Sequence, residues 1–235
     1  MAPADLPLLV LLPGLDGTGR FYAGLRRALE GRADSLIMTY PSHGRQTYAA
    51  LCEAVLARLP ADRDYVLVAE SFAGPLAVLL AGQAAKKPLA LVVSATFARN
   101  PFPPFGGLIQ HFLPLFMRHA PAPAMIETVL IRPGDHELAL QVTQTAVAMG
   151  PVLMRARCRS ALTCDVQAEL AALTMPVLYL QGTQDKLISP ACGLLMKAIA
   201  RNLSLVQVET PHFVLQYDCE TTVRNILIPF LHDLT

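Results

Sequence analysis

Residues 65–75, Tyr65-Val66-Leu67-Val68-Ala69-Glu70-Ser71-Phe72-Ala73-Gly74-Pro75, pass from an unbroken apolar run into a helix-forming segment with one serine at the junction. The run 65–69 reads as a strand buried on both faces. Pro75 falls in the first turn of the helix that follows, where a missing N–H does no harm. Ser71 therefore occupies a strand-to-helix turn, and Ala69 and Ala73, two places before and after it, are both small. So tight a turn lifts the hydroxyl clear of the sheet, the geometry of a nucleophile elbow. Elbows more often carry glycine at both flanking positions, and a serine at such a junction also reads as a helix cap. Distant parts of the chain have to separate the two readings.

Short apolar runs alternate with helical patterns along most of the sequence. Strands are predicted at 6–12, 35–40, 65–69, 89–94, 176–180 and 204–208, and helices at 20–30, 47–59, 72–85, 190–201 and 220–234. Lys86 and Lys87 complement the dipole at the end of one helix, and Ser189-Pro190 reads as an N-cap followed by a first-turn proline. Alternation of this kind gives an α/β fold, a mostly parallel sheet of about six strands with helices on both faces. Ligands of such sheets bind beyond the carboxyl ends of the strands. One stretch breaks the pattern. Residues 99–163 open on Asn100-Pro101-Phe102-Pro103-Pro104-Phe105-Gly106-Gly107 and continue as several short helices rich in Leu, Met, Phe and Ala. That is too long for a loop, so it reads as an insertion dividing a core made of 1–98 and 164–235.

Hydrophobic residues make up 53% of the 235 and charged residues 16%, against about 25% charged in an average soluble domain. The imbalance suits strands covered on both faces. A net charge of +1 without a basic cluster points to neither nucleic acid nor an anionic membrane surface. The first residues lack the basic start of a signal peptide, and no segment approaches the roughly 18 apolar residues of a membrane span. Stable membrane anchoring is not expected, and a cytoplasmic location is the default. Cys52, Cys158, Cys164, Cys192 and Cys219 are scattered, with no C-x-x-C pair, and suggest neither a disulfide framework nor a zinc site.

The segments just past the strands carry the candidate chemistry. Leu12-Pro13-Gly14-Leu15-Asp16-Gly17-Thr18-Gly19 has glycines that let backbone N–H groups turn inward toward an oxyanion, or that simply make a flexible turn. It lacks the spacing of a phosphate loop. His43, in Tyr40-Pro41-Ser42-His43-Gly44-Arg45, could be catalytic but reads more readily as a structural or solvated turn histidine, since a histidine in better context comes later. Asp185 follows the fifth predicted strand in Gln181-Gly182-Thr183-Gln184-Asp185, and His212 follows the sixth in Glu209-Thr210-Pro211-His212. Either alone reads as an ordinary loop residue. Together with Ser71 they give the order Ser, Asp, His, each just past a strand.

With these segments in place, the chain resembles an α/β-hydrolase from Pro13-Gly14 through Pro211-His212-Phe213-Val214-Leu215-Gln216. The Pro41-Ser42-His43-Gly44 turn is similar to the Pro-Gly-His-Gly common in that family. More narrowly, residues 12–19 with Glu70-Ser71-Phe72-Ala73-Gly74-Pro75 resemble a branch of small bacterial serine esterases and acyltransferases related to plant phytyl ester synthases. The family usually has eight strands, so the first two are missing here, and alanines replace the glycines of Gly-x-Ser-x-Gly.

The resemblance implies a serine carboxylesterase for small-molecule esters with apolar, short-to-medium acyl chains, needing no cofactor and no metal. His212 would take the Ser71 proton, and Asp185 would hold the imidazole in the correct tautomer. The family's alternative acid position holds Ser94-Ala95-Thr96, without a carboxylate, and Asp165 reads better as a helix N-cap. The backbone N–H groups of Phe72 and, by family analogy, Leu15 would bind the oxyanion, with Asp16 as the other candidate. The insertion 99–163 resembles the cap of this fold. Phe102, Phe105, Phe112 and Phe116, with Phe97, Met117 and Met125, would face the site or pack the cap against the core. His111, His119 and His136 have no metal-ligand spacing and read as surface residues. An acyltransferase or thioesterase would use the same triad, and a non-catalytic ligand-binding homologue would keep the fold alone. Either a monomer or a homodimer is compatible with the sequence.

Overall fold

In the computed structural model, which describes residues 6–105, 108–109, 111 and 119–234, six strands form one sheet. They are β1 (Leu8–Leu12), β2 (Ser35–Ile37), β3 (Tyr65–Glu70), β4 (Ala90–Ser94), β5 (Val177–Gly182) and β6 (Leu203–Val208). Their order is β2-β1-β3-β4-β5-β6, every pair parallel. The chain leaves β1 toward one edge and β3 toward the other, so the order reverses between these neighbours. That switch point opens a crevice at their carboxyl ends. Leu12 pairs with Ala69 there, which puts the glycine loop after β1 beside the turn after β3.

Side-chain alternation along the strands divides the core into two layers. Val10, Leu12, Leu67, Ala69, Leu91 and Val93 face one way, packing with residues of α2 (Tyr48–Leu56), α3 (Ala73–Gln83), α6 (Gln167–Ala172) and α7 (Pro190–Ile199). Leu9, Leu11, Val66, Val68, Val92 and Leu180 face the other way, toward α1 (Ala23–Leu29) and the C-terminal segments. Both faces are covered, which is why the central strands read as continuous apolar runs. No helix among the described residues is long and apolar enough to cross a membrane.

One element differs from the pattern in the sequence. The C-terminal helix expected over 220–234 is three pieces: α8 (Cys219–Thr222), a π turn (Val223–Leu227) and α9 (Ile228–His232). Pro229 has no N–H to continue an α ladder, and the wider turn precedes it. Between β4 and β5, the described residues of 99–163 include α4 (Pro123–Val129) and α5 (His136–Leu162), the second a pair of helices joined at a kink. Gly150 breaks α5 with φ 72° and ψ 159°, just before Pro151, which disfavours helical backbone in the residue preceding it. Ile126, Ile131, Ala139 and Val142 form a small separate core with Tyr217.

Candidate active site

Ser71 follows β3 with φ 53°, in the left-handed region that a serine seldom occupies. Three contacts hold it there. Its N–H donates to Ser94 O at 2.9 Å, and its carbonyl accepts from Gly74 N–H at 3.1 Å and from Thr96 Oγ1 at 2.5 Å. Thr96 is itself fixed by Tyr179, whose hydroxyl lies 2.8 Å from Thr96 O. A Cβ on Gly74 would lie 2.0 Å from Thr96 Oγ1. The close approach that demands glycine is therefore three residues past Ser71, while Ala69 and Ala73 fit without exposure. Tyr48 stacks on Phe72 at 4.9 Å and donates to its carbonyl at 2.9 Å, fixing the Phe72–Ala73 peptide.

Asp185 and His212 reach Ser71 because the loops after β5 and β6 are bonded together. Thr183 N–H donates to Val208 O at 2.9 Å and Gln184 N–H to Thr210 O at 3.0 Å. Gly182 permits this approach, since a Cβ there would lie 2.6 Å from the carbonyl oxygens of Thr210 and Pro211. His212 Nε2 then stands 2.9 Å from Ser71 Oγ, and His212 Nδ1 stands 2.9 Å from Asp185 Oδ2. The other Asp185 oxygen accepts from Leu187 N–H at 2.8 Å and Ile188 N–H at 2.9 Å. Both side chains are almost fully buried, at 5% and 3% exposure. Such a relay can carry a proton from a hydroxyl to an imidazole without moving a heavy atom far.

The glycine loop packs against the elbow: a Cβ on Gly14 would lie 3.9 Å from Ser71 Cβ. Its carbonyls are bound by donors behind it, with Tyr22 Oη 2.8 Å from Leu12 O and Tyr40 Oη 2.9 Å from Pro13 O. The Asp16 carboxylate is tied back to Thr18 N–H at 2.8 Å. Among the hydrogen bonds of the described residues, none uses the N–H of Leu15, Asp16 or Phe72. Asp165 is bridged to Arg99 and accepts from Gln167 N–H at 3.2 Å beside Val166, the N-cap of α6.

A cavity of about 580 Å³ opens from Ser71 and His212. Its walls are Leu15 and Phe213 on the sheet side, and Met125, Val129, Val142 and Met149 from α4 and α5. Met125 thus lies where the sequence suggested. Phe102 and Phe105 do not line this cavity. Phe105 is 62% exposed, and Phe97 packs into the main core at 3% exposure. Pro101 and Pro103, in the segment that carries Phe102 and Phe105, line a smaller pocket with Ala191, Cys192 and Leu195 of α7. Phe112, Phe116 and Met117 lie outside the described residues. His43 is exposed in its turn, His136 pairs with Glu127, and His119 lies at the cavity wall.

Sequence reading did not single out Glu70, although it adjoins Ser71. Its carboxyl is 7% exposed and accepts from Gln216 Nε2 at 2.7 Å and, more weakly, from Leu215 N–H at 3.4 Å, both just past His212. Burial pushes it up to about 7, against the opposing pull of Gln216 and His212. A carboxyl whose folded value exceeds its unfolded one stabilises the fold below the unfolded value, and that contribution fades as pH rises through about 7. Glu70→Gln removes the titration. Relative to wild type it is expected to gain on the order of 3 kcal/mol in urea melts at about pH 9 compared with about pH 5. Equal effects at both pH values would contradict this.

The model of the alpha/beta hydrolase family matches residues 9–224, and the chain belongs to that family. No curated protein matches it in sequence. Among solved structures, a hydrolase from Oleispira antarctica is similar with a TM-score of 0.82 at 14% identity, covering 97% of this chain and 91% of that one. A thermophilic esterase from Thermogutta terrifontis gives 0.79 at 19%, covering 97% and 90%. An enol-lactonase from Burkholderia xenovorans LB400 gives 0.76 at 18%, covering 97% and 91%. Identities this low carry the fold and nothing finer.

Proposed function

We propose that the protein is a serine carboxylesterase for esters with apolar, short-to-medium acyl chains. The observation that supports it is the buried relay from Ser71 Oγ through His212 to Asp185, with both links at 2.9 Å. Ser71 Oγ attacks the acyl carbon while His212 Nε2 takes its proton, and Asp185 stabilises the imidazolium. The N–H groups of Phe72 and Leu15 receive the oxyanion. Collapse breaks the bond to the alkoxy oxygen, which leaves as alcohol with the proton from His212. Water then attacks the acyl-enzyme through the same relay, releasing the acid and restoring Ser71. Residues 99–163 act as a cap whose apolar side chains receive the acyl chain.

Because the cavity wall contributed by α4 and α5 is apolar, each added methylene that is fully buried contributes about 0.8 kcal/mol, roughly fourfold in kcat/KM. A panel of p-nitrophenyl esters is expected to show kcat/KM rising with acyl length until the cavity is filled, then falling. Absence of turnover above a Ser71→Ala control at every length would overturn the proposal.

A further inference from the structure

Arg157, in α5 beyond its kink, is 1% exposed, yet among the described residues no carboxylate lies within ion-pair distance of it. A buried guanidinium is costly unless its donors are satisfied. Here Nη1 donates to Leu15 O at 2.8 Å, Nη2 to Pro41 O at 3.0 Å, and Nε to Gln46 Oε1 at 2.9 Å. Gln46, itself buried, binds the carbonyls of Pro41 and His43, and Ser160 of α5 donates to Gln46 O at 2.9 Å. The guanidinium sits 5.6 Å over the Tyr40 ring, whose hydroxyl holds Pro13 O. It is packed so closely that a Cβ on Gly17 would lie 2.5 Å from Nη1.

We propose that Arg157 is a positioning residue for the oxyanion site, a role that rests on the serine-esterase reading. A planar peptide held by its carbonyl has the direction of its N–H fixed as well. By holding Leu15 O from behind, Arg157 sets the Leu15–Asp16 peptide and, through the backbone angles of Leu15, the N–H of the peptide before it. A charged donor makes that hold stronger than a neutral one could. The same helix lines the acyl cavity with Val142 and Met149 before its kink. One element of the insertion thus shapes the pocket at one end and anchors the glycine loop at the other.

The test measures p-nitrophenyl ester hydrolysis by the full chain. If wild type shows no Ser71-dependent turnover, the esterase reading fails and the Arg157 role with it. With an active wild type, Arg157→Ala is expected to lose about 10²-fold in kcat with KM held within about threefold, because a displaced oxyanion donor acts in the transition state alone. Arg157→Lys, which keeps the charge and one contact, should fall between the two. Guanidinium chloride, below its denaturing range, should restore part of the Arg157→Ala loss. If Arg157→Ala is insoluble, a fall in kcat at constant KM in Arg157→Lys supports the role in its place. A folded variant with unchanged kcat, a loss confined to KM, absence of rescue by guanidinium, or insolubility of both variants overturns it.

Discussion

Ser71→Ala is expected to lower kcat on a p-nitrophenyl ester by about 10⁵–10⁶-fold while leaving the fold intact. The hydroxyl is the only atom on this turn within 2.9 Å of His212 Nε2 among the described hydrogen bonds, so its removal leaves the imidazole nothing to deprotonate but water. Residual rate should come from binding and the oxyanion donors alone. The backbone that strains the turn is held by Ser94, Gly74 and Thr96 through main-chain atoms of residue 71, so alanine inherits the same contacts. Thermal melts should therefore match wild type while steady-state rates collapse. A rate within tenfold of wild type would remove Ser71 from the chemistry.

Asp185→Asn should cost about 10⁴-fold in kcat, and the structure says why. One Asp185 oxygen accepts from both Leu187 and Ile188 N–H groups, so the asparagine carbonyl must take that place. Its NH₂ then faces His212 Nδ1, where the wild-type carboxylate accepts. Nδ1 becomes an acceptor, the ring proton moves to Nε2, and the imidazole can no longer accept from Ser71. Geometry is preserved and the tautomer is wrong. Steady-state kinetics with a melting curve on the same sample check this, and a loss below about tenfold would contradict it.

The sheet was legible in the sequence because its signal is local. Unbroken apolar runs such as Val66-Leu67-Val68 require cover on both faces, and the alternation with helices dictates parallel pairing. The glycine loop, Ser71, Asp185 and His212 were legible because each follows such a run, and the carboxyl ends of these four parallel strands share one edge of the sheet. What escaped depends on contacts between distant segments. Nothing within residues 69–75 shows that Gly74, rather than the flanking alanines, meets Thr96. Phe102 and Phe105 have the right chemistry for a pocket wall, but their place is set by a segment whose Pro101 and Pro103 line a smaller pocket with α7. Arg157 had a faint signal, since it lies about one helical turn past buried Met154. A charge at such a position asks for partners, and these lie more than a hundred residues earlier.

The catalytic use of Ser71 is tested most directly by a fluorophosphonate probe followed by peptide mass mapping, because labelling requires an exposed, activated and correctly oriented hydroxyl together. One equivalent is expected on Ser71, with none on Ser71→Ala and much slower reaction on His212→Ala. An unlabelled Ser71 in folded wild-type protein, or a label carried by another residue, would contradict the serine-esterase account.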